Sequence, residues 1–228
     1  MKLTYYGHSC FGINLNGTRL LFDPFISGNP MASDIDLDTV PADYILISHG
    51  HQDHVLDVEA IAKRTGAKLI SNFEIINWFE SRGITGGHSL NLGGSAQFDF
   101  GTVKYVNAIH SSSMPDGSYG GSPGGFIITP TKSRFSFYYA GDTALTYDMK
   151  LIGEQETIDF ALLPIGDNYT MGISDAIRAA EFIGTHKIIG LHYNTFPPIQ
   201  IDTSRAVAKF SETGKTLLLP AIGETIEL

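Results

Sequence analysis

Ser48-His49-Gly50-His51-Gln52-Asp53-His54 sets three histidines and an aspartate within six residues. The segment follows Tyr44-Ile45-Leu46-Ile47, a continuous apolar run that reads as a buried strand. Behind it Val55, Val58, Ile61 and Ala62 recur at helical spacing, with Gly66 as a stop signal. The cluster therefore falls at a strand-to-helix junction, the place where α/β sheets hold ligands on a rigid base. A polar loop enriched in histidine by chance has no reason to fall there. His49 and His51 lie two apart and share one side of an extended segment, whereas Asp53 and His54 turn into the helix. The first pair suits one metal ion and the second pair another. Neutral imidazole combined with carboxylate oxygen fits zinc, and also manganese or iron.

One loop supplies too few ligands for a metal. Three more candidates stand at the ends of apolar strands. His110 closes Val103–Ile109, Asp142 follows Tyr138-Tyr139-Ala140-Gly141, and His192 follows Ile188-Ile189-Gly190-Leu191. With these the set reaches five histidines and two aspartates, enough for two metals with water completing the shells. His8 ends the first strand, which leaves two roles open: contact with metals or substrate, or support of the strand-end turn. Asp23, before Pro24, either orients a ligating imidazole or fixes a turn. Asn168, Tyr193 and Asn194 lie beside strand ends and are candidate donors to a polarised substrate oxygen. His88 and His186 lack any partner pattern and read as exposed loop residues.

Working outward, the N-terminal part reads as strands Leu3–Gly7, Cys10–Asn14 and Arg19–Phe22, with Asn16-Gly17 as a hairpin turn. An irregular segment spans 23–41. Then come a strand at 68–71, a helix at 74–81, and strands at 96–100, 103–108, 126–129 and 135–140. A Ser-, Gly- and Pro-rich loop covers 111–125. Strands at 160–163, 187–191, 216–219 and 225–228 alternate with helices near 173–180 and 204–211. Each half starts β-rich and ends in alternating strands and helices, and no linker composition separates them. The expectation is one domain, 1–228, built of two similar β/α halves. Its fold class is α/β, with two mixed β-sheets packed together and helices on the outer faces.

The chain has 228 residues, 43% hydrophobic and 17% charged, which is ordinary globular composition. Its 15 basic and 24 acidic residues give a formal charge of −9, which argues against a nucleic-acid or anionic-membrane partner. Cys10 is the only cysteine, so neither an internal disulfide nor a cysteine-based zinc site is available. No signal-peptide pattern and no apolar run near ~20 residues is present, so a cytoplasmic protein is expected. Nothing in the sequence decides between a monomer and a homo-oligomer.

His-x-His-x-Asp-His at 49–54, His110, Gly-Asp-Thr at 141–143 and the late His192 together resemble the metallo-β-lactamase-fold hydrolase superfamily. Gly7-His8-Ser9, Asp23-Pro24-Phe25, Gly166-Asp167-Asn168 and His192-Tyr193-Asn194-Thr195 are similar to a branch of small metal-dependent hydrolases related to ascorbate-6-phosphate lactonase. The resemblance implies an αββα sandwich with a dinuclear metal site at one edge of the two sheets, bridged by Asp142. True β-lactamases usually carry a cysteine at that second-site position, so the aspartate argues against antibiotic hydrolysis. The implied chemistry is attack of a metal-activated hydroxide on a small ester, lactone or phosphodiester, phosphorylated substrates such as that of the related lactonase included. Asp53 would serve both as ligand and as the catalytic acceptor for water. Three rivals share the ligand frame: a phosphodiesterase or nuclease acting on RNA, an iron-dependent thiol oxygenase, and a metal-stabilised binding module.

Overall fold

The computed structural model describes residues 1–132 and 135–228. The first sheet starts with β1 (Lys2–Gly7), β2 (Cys10–Leu15), β3 (Thr18–Phe22) and β4 (Tyr44–Leu46). Helices α1 (Gln52–Val55) and α2 (Val58–Thr65) lead to β5 (Lys68–Asn72), and α3 (Phe73–Glu80) leads to β6 (His88–Leu90). The second sheet takes β7 (Ser95–Phe98), β8 (Gly101–Asn107), β9 (Gly124–Pro130) and β10 (Phe137–Tyr139). It continues through α4 (Asp148–Gln155), β11 (Phe160–Pro164), α5 (Ile173–Ile183), β12 (Lys187–Leu191), α6 (Thr203–Glu212) and β13 (Thr216–Leu218). The last strand, β14 (Thr225–Glu227), returns to the first sheet beside β1.

The strand orders are β14-β1-β2-β3-β4-β5-β6 and β13-β12-β11-β10-β9-β8-β7. In each sheet an antiparallel stretch passes into a parallel one: β3, β4, β5 and β6 are parallel, as are β10, β11, β12 and β13. The parallel crossovers carry the helices, which cover the outer faces. Among the described residues, three apolar clusters define the layers. One lies between the sheets, and the other two lie between each sheet and its helices. Side-chain alternation divides single strands between them. In β4, Tyr44 and Leu46 face the opposite sheet while Ile45 faces the helices. In β10, Phe137 and Tyr139 point inward and Tyr138 outward. The architecture is an α/β sandwich of two mixed sheets flanked by helices.

Several elements depart from the sequence reading. The helix expected from Val55 starts at Gln52 and breaks before α2, so Asp53 and His54 lie on a short helical turn of their own. Helix α4 shows no sequence periodicity because it buries only Met149 and Ile152. His88 opens a strand instead of lying in a loop, with its ring edge-on to Phe98 at 5.1 Å. The 23–41 segment contains 3-10 turns at Pro30–Ala32 and Leu37–Thr39. Among the described residues, no helix is long and apolar enough to cross a membrane.

Strand sense is what positions the site. In the first sheet β1, β3 and β4 run the same way, since two antiparallel steps separate β1 from β3. In the second sheet β8, β10 and β12 share one direction for the same reason. Their carboxyl ends deliver His8, Asp23 and the 48–54 segment from one sheet, and His110, Asp142 and His192 from the other.

Phe22 anchors the inter-sheet layer, its ring 4.8 Å from Tyr139, 6.1 Å from Phe137 and 6.3 Å from Phe126. Phe22→Ala is expected to lower the unfolding free energy by about 3–5 kcal/mol. Urea denaturation followed by circular dichroism measures it.

Candidate metal centre

The seven residues expected as metal ligands converge. His49, His51 and His110 form one group whose ligand atoms all lie within 4.8 Å of one another. Asp53, His54, His192 and His8 form a second group on the same criterion, within 4.8 Å. Asp142 stands between them. Its Oδ2 is 2.9 Å from His192 Nε2 and 3.3 Å from His54 Nε2 on one side. On the other side it is 3.6 Å from His110 Nε2 and 4.0 Å from His49 Nε2.

Gly50 lets the first two histidines approach the neighbouring loop. A Cβ at this position would meet Met114 Sδ at 2.6 Å and the Ser113 carbonyl oxygen at 3.1 Å. The 111–123 segment therefore closes over the His-Gly-His turn. Ser111 Oγ lies 3.3 Å from His51 Nε2, and the Gly50 N–H donates to Ser112 Oγ at 3.1 Å.

Asp23 anchors the opposite side of the cluster. It is fully buried, and its Oδ1 accepts the Ser48 N–H at 2.7 Å. Its Oδ2 accepts the Ser48 hydroxyl at 2.5 Å, His54 Nδ1–H at 2.8 Å and the Tyr139 hydroxyl at 2.8 Å. The Ser48 proton is thus committed to Asp23, so His49 Nδ1, 2.9 Å from Ser48 Oγ, must donate to that oxygen. Both His49 and His54 are therefore held with Nδ1 protonated and Nε2 turned to the cluster. This is how an outer carboxylate fixes the tautomer of a metal-binding imidazole. The Asp23 carboxylate thus contacts both the His54 ring and the turn at Ser48.

His8 is also fully buried. Burial lowers its pKa to about 4, against the raising effect of its contact with Asp53, so the ring is neutral. Its Nε2 lies 3.1 Å from Asp53 Oδ2 and its Nδ1 2.9 Å from Thr195 Oγ1. A neutral ring satisfies both by donating from Nε2 and accepting at Nδ1. Asp53 opens toward solvent, with 28% side-chain exposure. Burial pushes its carboxyl up, but His54, His192 and His8 outweigh it and hold the pKa well below the carboxylate range. His54 and His192 show the reverse balance. Burial lowers each, while Asp142 raises them, His192 to about 9. For Asp142, burial opposes ionisation, but His192 and His54 hold its pKa down.

The donor set fits a divalent cation on independent grounds. His54 Nε2, Asp142 Oδ1 and His192 Nδ1 are buried without any hydrogen-bond partner among the described residues. Buried polar atoms left unpaired are costly, and His54 Nε2 faces the cluster, 3.3 Å from Asp142 Oδ2. Backbone strain concentrates in the same place. His8, Asp23 and His192 have φ of 56°, 42° and 55°. Such left-handed non-glycine residues cost of order 1–3 kcal/mol each and gather at functional sites.

The remaining candidates sit farther out. Tyr193 stacks on Tyr5 at 6.4 Å between centroids. The Asn194 side chain accepts the Ile201 N–H at 2.7 Å, and Asn168 is exposed in a turn, its N–H donating to Asp167 Oδ1 at 2.8 Å. Sequence reasoning did not single out Ser48, Thr195 or Tyr139. Ser48 and Thr195 stand within the quoted motifs and Tyr139 in the apolar run before Asp142, with no pattern there that assigns them a role.

A family model described as a β-lactamase superfamily domain matches residues 2–192. The chain belongs to the metallo-β-lactamase-fold superfamily. A UPF0173 metal-dependent hydrolase of Flavobacterium johnsoniae is 54% identical over 228 residues, covering 100% of both chains. Another, from Christiangramia forsetii, is 56% identical over 229 residues with the same 100% coverage of both. The solved structure of Igni18, a metallo hydrolase from the hyperthermophilic archaeon Ignicoccus hospitalis, is 36% identical. It superposes with a TM-score of 0.89, covering 100% of this chain and 98% of that one. Within the metallo-β-lactamase superfamily the chain thus belongs with the UPF0173 metal-dependent hydrolases.

Asp23→Asn should weaken metal affinity about 10–100-fold, the usual effect of losing an outer partner of a ligating histidine. Competition with a chromophoric chelator reads the change. Zinc added to the metal-free protein at 100 times its dissociation constant should raise stability by about 2.7 kcal/mol. Thermal unfolding with and without zinc checks this.

Proposed function

We propose that this metal-dependent hydrolase uses two divalent cations to cleave a small ester, lactone or phosphodiester. The observation that carries the reading is Asp142 Oδ2, within 4.0 Å of histidines from both ligand groups. His49, His51 and His110 would hold one cation, Asp53, His54 and His192 the other, and Asp142 both. Imidazole and carboxylate donors favour zinc, with manganese or iron as alternatives. Such ions, when bound, lower the pKa of water from 15.7 to about 7 and polarise a carbonyl or phosphoryl oxygen.

The protein supplies positioning and proton transfer. Asp53 keeps an ionised carboxylate at the open side of the cluster, and His8 holds one of its oxygens. That carboxylate accepts a hydrogen bond from the attacking water and fixes its line of approach. In hydrolysis the water oxygen forms a bond to the acyl carbon or phosphorus, and the bond to the leaving oxygen breaks. The water's proton passes by way of Asp53 to that leaving oxygen, which departs as an alcohol. No serine or cysteine nucleophile is needed. Cys10 is fully buried, and burial pushes its thiol pKa up. The acidic balance of the chain supports a small-molecule substrate over RNA.

The test is a panel of small esters, lactones and phosphodiesters assayed with zinc-loaded and manganese-loaded protein. Turnover of at least one class is expected. Asp142→Ala should reduce it by about a thousandfold, the scale on which a preorganised electrostatic group acts. It should also lose bound metal by elemental analysis while keeping the far-ultraviolet circular dichroism spectrum. Protein holding two equivalents of metal with no turnover in any class would overturn the reading and leave a metal-stabilised binding module.

A further inference from the structure

We propose that the part of the substrate remote from the reacting bond is apolar and uncharged, and that it lies in the cleft walled by Phe25, Leu56, Tyr169 and Phe196. The inference rests on the hydrolase reading above and narrows its substrate class. The cleft has a volume of about 490 Å³, the size of a small-molecule site, and Asp53 forms part of its lining. It is continuous with the metal-binding cluster. The His8 ring meets Phe25 edge-on at 5.6 Å and Phe196 at 5.3 Å, and those two phenyl rings are 6.2 Å apart. The aromatic wall thus begins where the ligand groups end.

The outer wall is exposed, Leu56 by 37% and Tyr169 by 56%. With Phe25 and Phe196 they make one contiguous apolar lining, the kind of patch that marks a ligand-binding groove. Gly28 keeps the space open. A Cβ there would stand 2.5 Å from Phe25 Cε2 and 2.6 Å from Leu56 Cδ2.

Charge points the same way. Among the described residues no lysine or arginine lines the cleft, and its one charged side chain is the Asp53 carboxylate. Lys68 and Lys187 open β5 and β12, at the strand ends opposite the cluster. Arg19, Lys63, Lys104 and Arg178 pair with Asp43, Glu59, Glu156 and Glu181 elsewhere. A phosphate or carboxylate on the substrate's tail would find no cationic partner here and would face Asp53. An alkyl or aryl tail would instead gain from burial.

Isothermal titration of the zinc-loaded full chain with butanoate, hexanoate and octanoate tests this directly. The carboxylate mimics the acid product, and the tail probes the cleft. The dissociation constant should fall about fourfold per added methylene until the cleft is full, as apolar burial predicts. In Gly28→Val and in Phe196→Ala this dependence should flatten. The kcat/KM ratio of γ-octalactone to γ-butyrolactone should fall in both. Equal affinity across the alkanoates would overturn the inference. So would tighter binding of 6-phosphogluconate than of gluconate. Either result leaves hydrolysis standing. A normal chain-length dependence with no lactone, ester or phosphodiester turnover would support the cleft assignment and count against the hydrolase reading.

Discussion

The structure turns on a buried carboxylate, Asp142, 2% exposed and enclosed by histidines from both sheets. An ionised carboxylate in such a place is sustained only by close opposite charge or a metal. Its neighbours follow β4 in the first sheet and β8 and β12 in the second. The carboxylate therefore couples the site to the packing of the two sheets. Any shift of one sheet against the other would change its distances to His49 and His54.

Asp23 extends that coupling into the core. Its Oδ2 takes the Tyr139 hydroxyl, and the Tyr139 ring packs on Phe22 in the inter-sheet layer. The same oxygen takes His54 Nδ1–H. A single buried atom thus joins the hydrophobic layer to the orientation of a ligand. Tyr105 makes a parallel link, donating its hydroxyl to the Ser48 carbonyl at 2.8 Å. The strained backbone at His8, Asp23 and His192 is held by this scaffold, consistent with rigid elements carrying a site whose local geometry is unfavourable by itself.

The molecule is also divided electrically along its strands. Asp23, Asp142 and His8, His49, His110 and His192 stand at carboxyl ends of strands, while Lys2, Lys68 and Lys187 occupy the opposite ends of β1, β5 and β12. Among the described residues, no lysine or arginine lines the cleft beside the ligand cluster. The aromatic cleft beside Asp53 adds an apolar surface to the same end, so metal coordination and apolar contact share one opening.

Much of this was legible in the sequence because it was local. The apolar run 44–47, the histidine-rich turn after it and the helical repeat behind it fixed a strand, a ligand loop and a helix within some twenty residues of each other. His110, Asp142 and His192 were legible as polar residues ending apolar strands, since strand ends are where side chains escape the core. Helix α4 and strand β6 were not, because short, half-exposed elements leave too few periodic apolar residues to read. The roles of Ser48, Thr195 and Tyr139 were not legible either: each depends on a partner more than twenty residues away in sequence, apart from Ser48's contact with His49. The sequence by itself determined which side chains can bind a metal and at which strand ends they stand. Only the tertiary structure decided that Asp142 lies between two ligand groups, that Asp23 sets the histidine tautomers, and that β14 closes the first sheet. Those facts depend on strand direction and sheet-to-sheet packing, which join residues far apart in the chain and leave no local pattern.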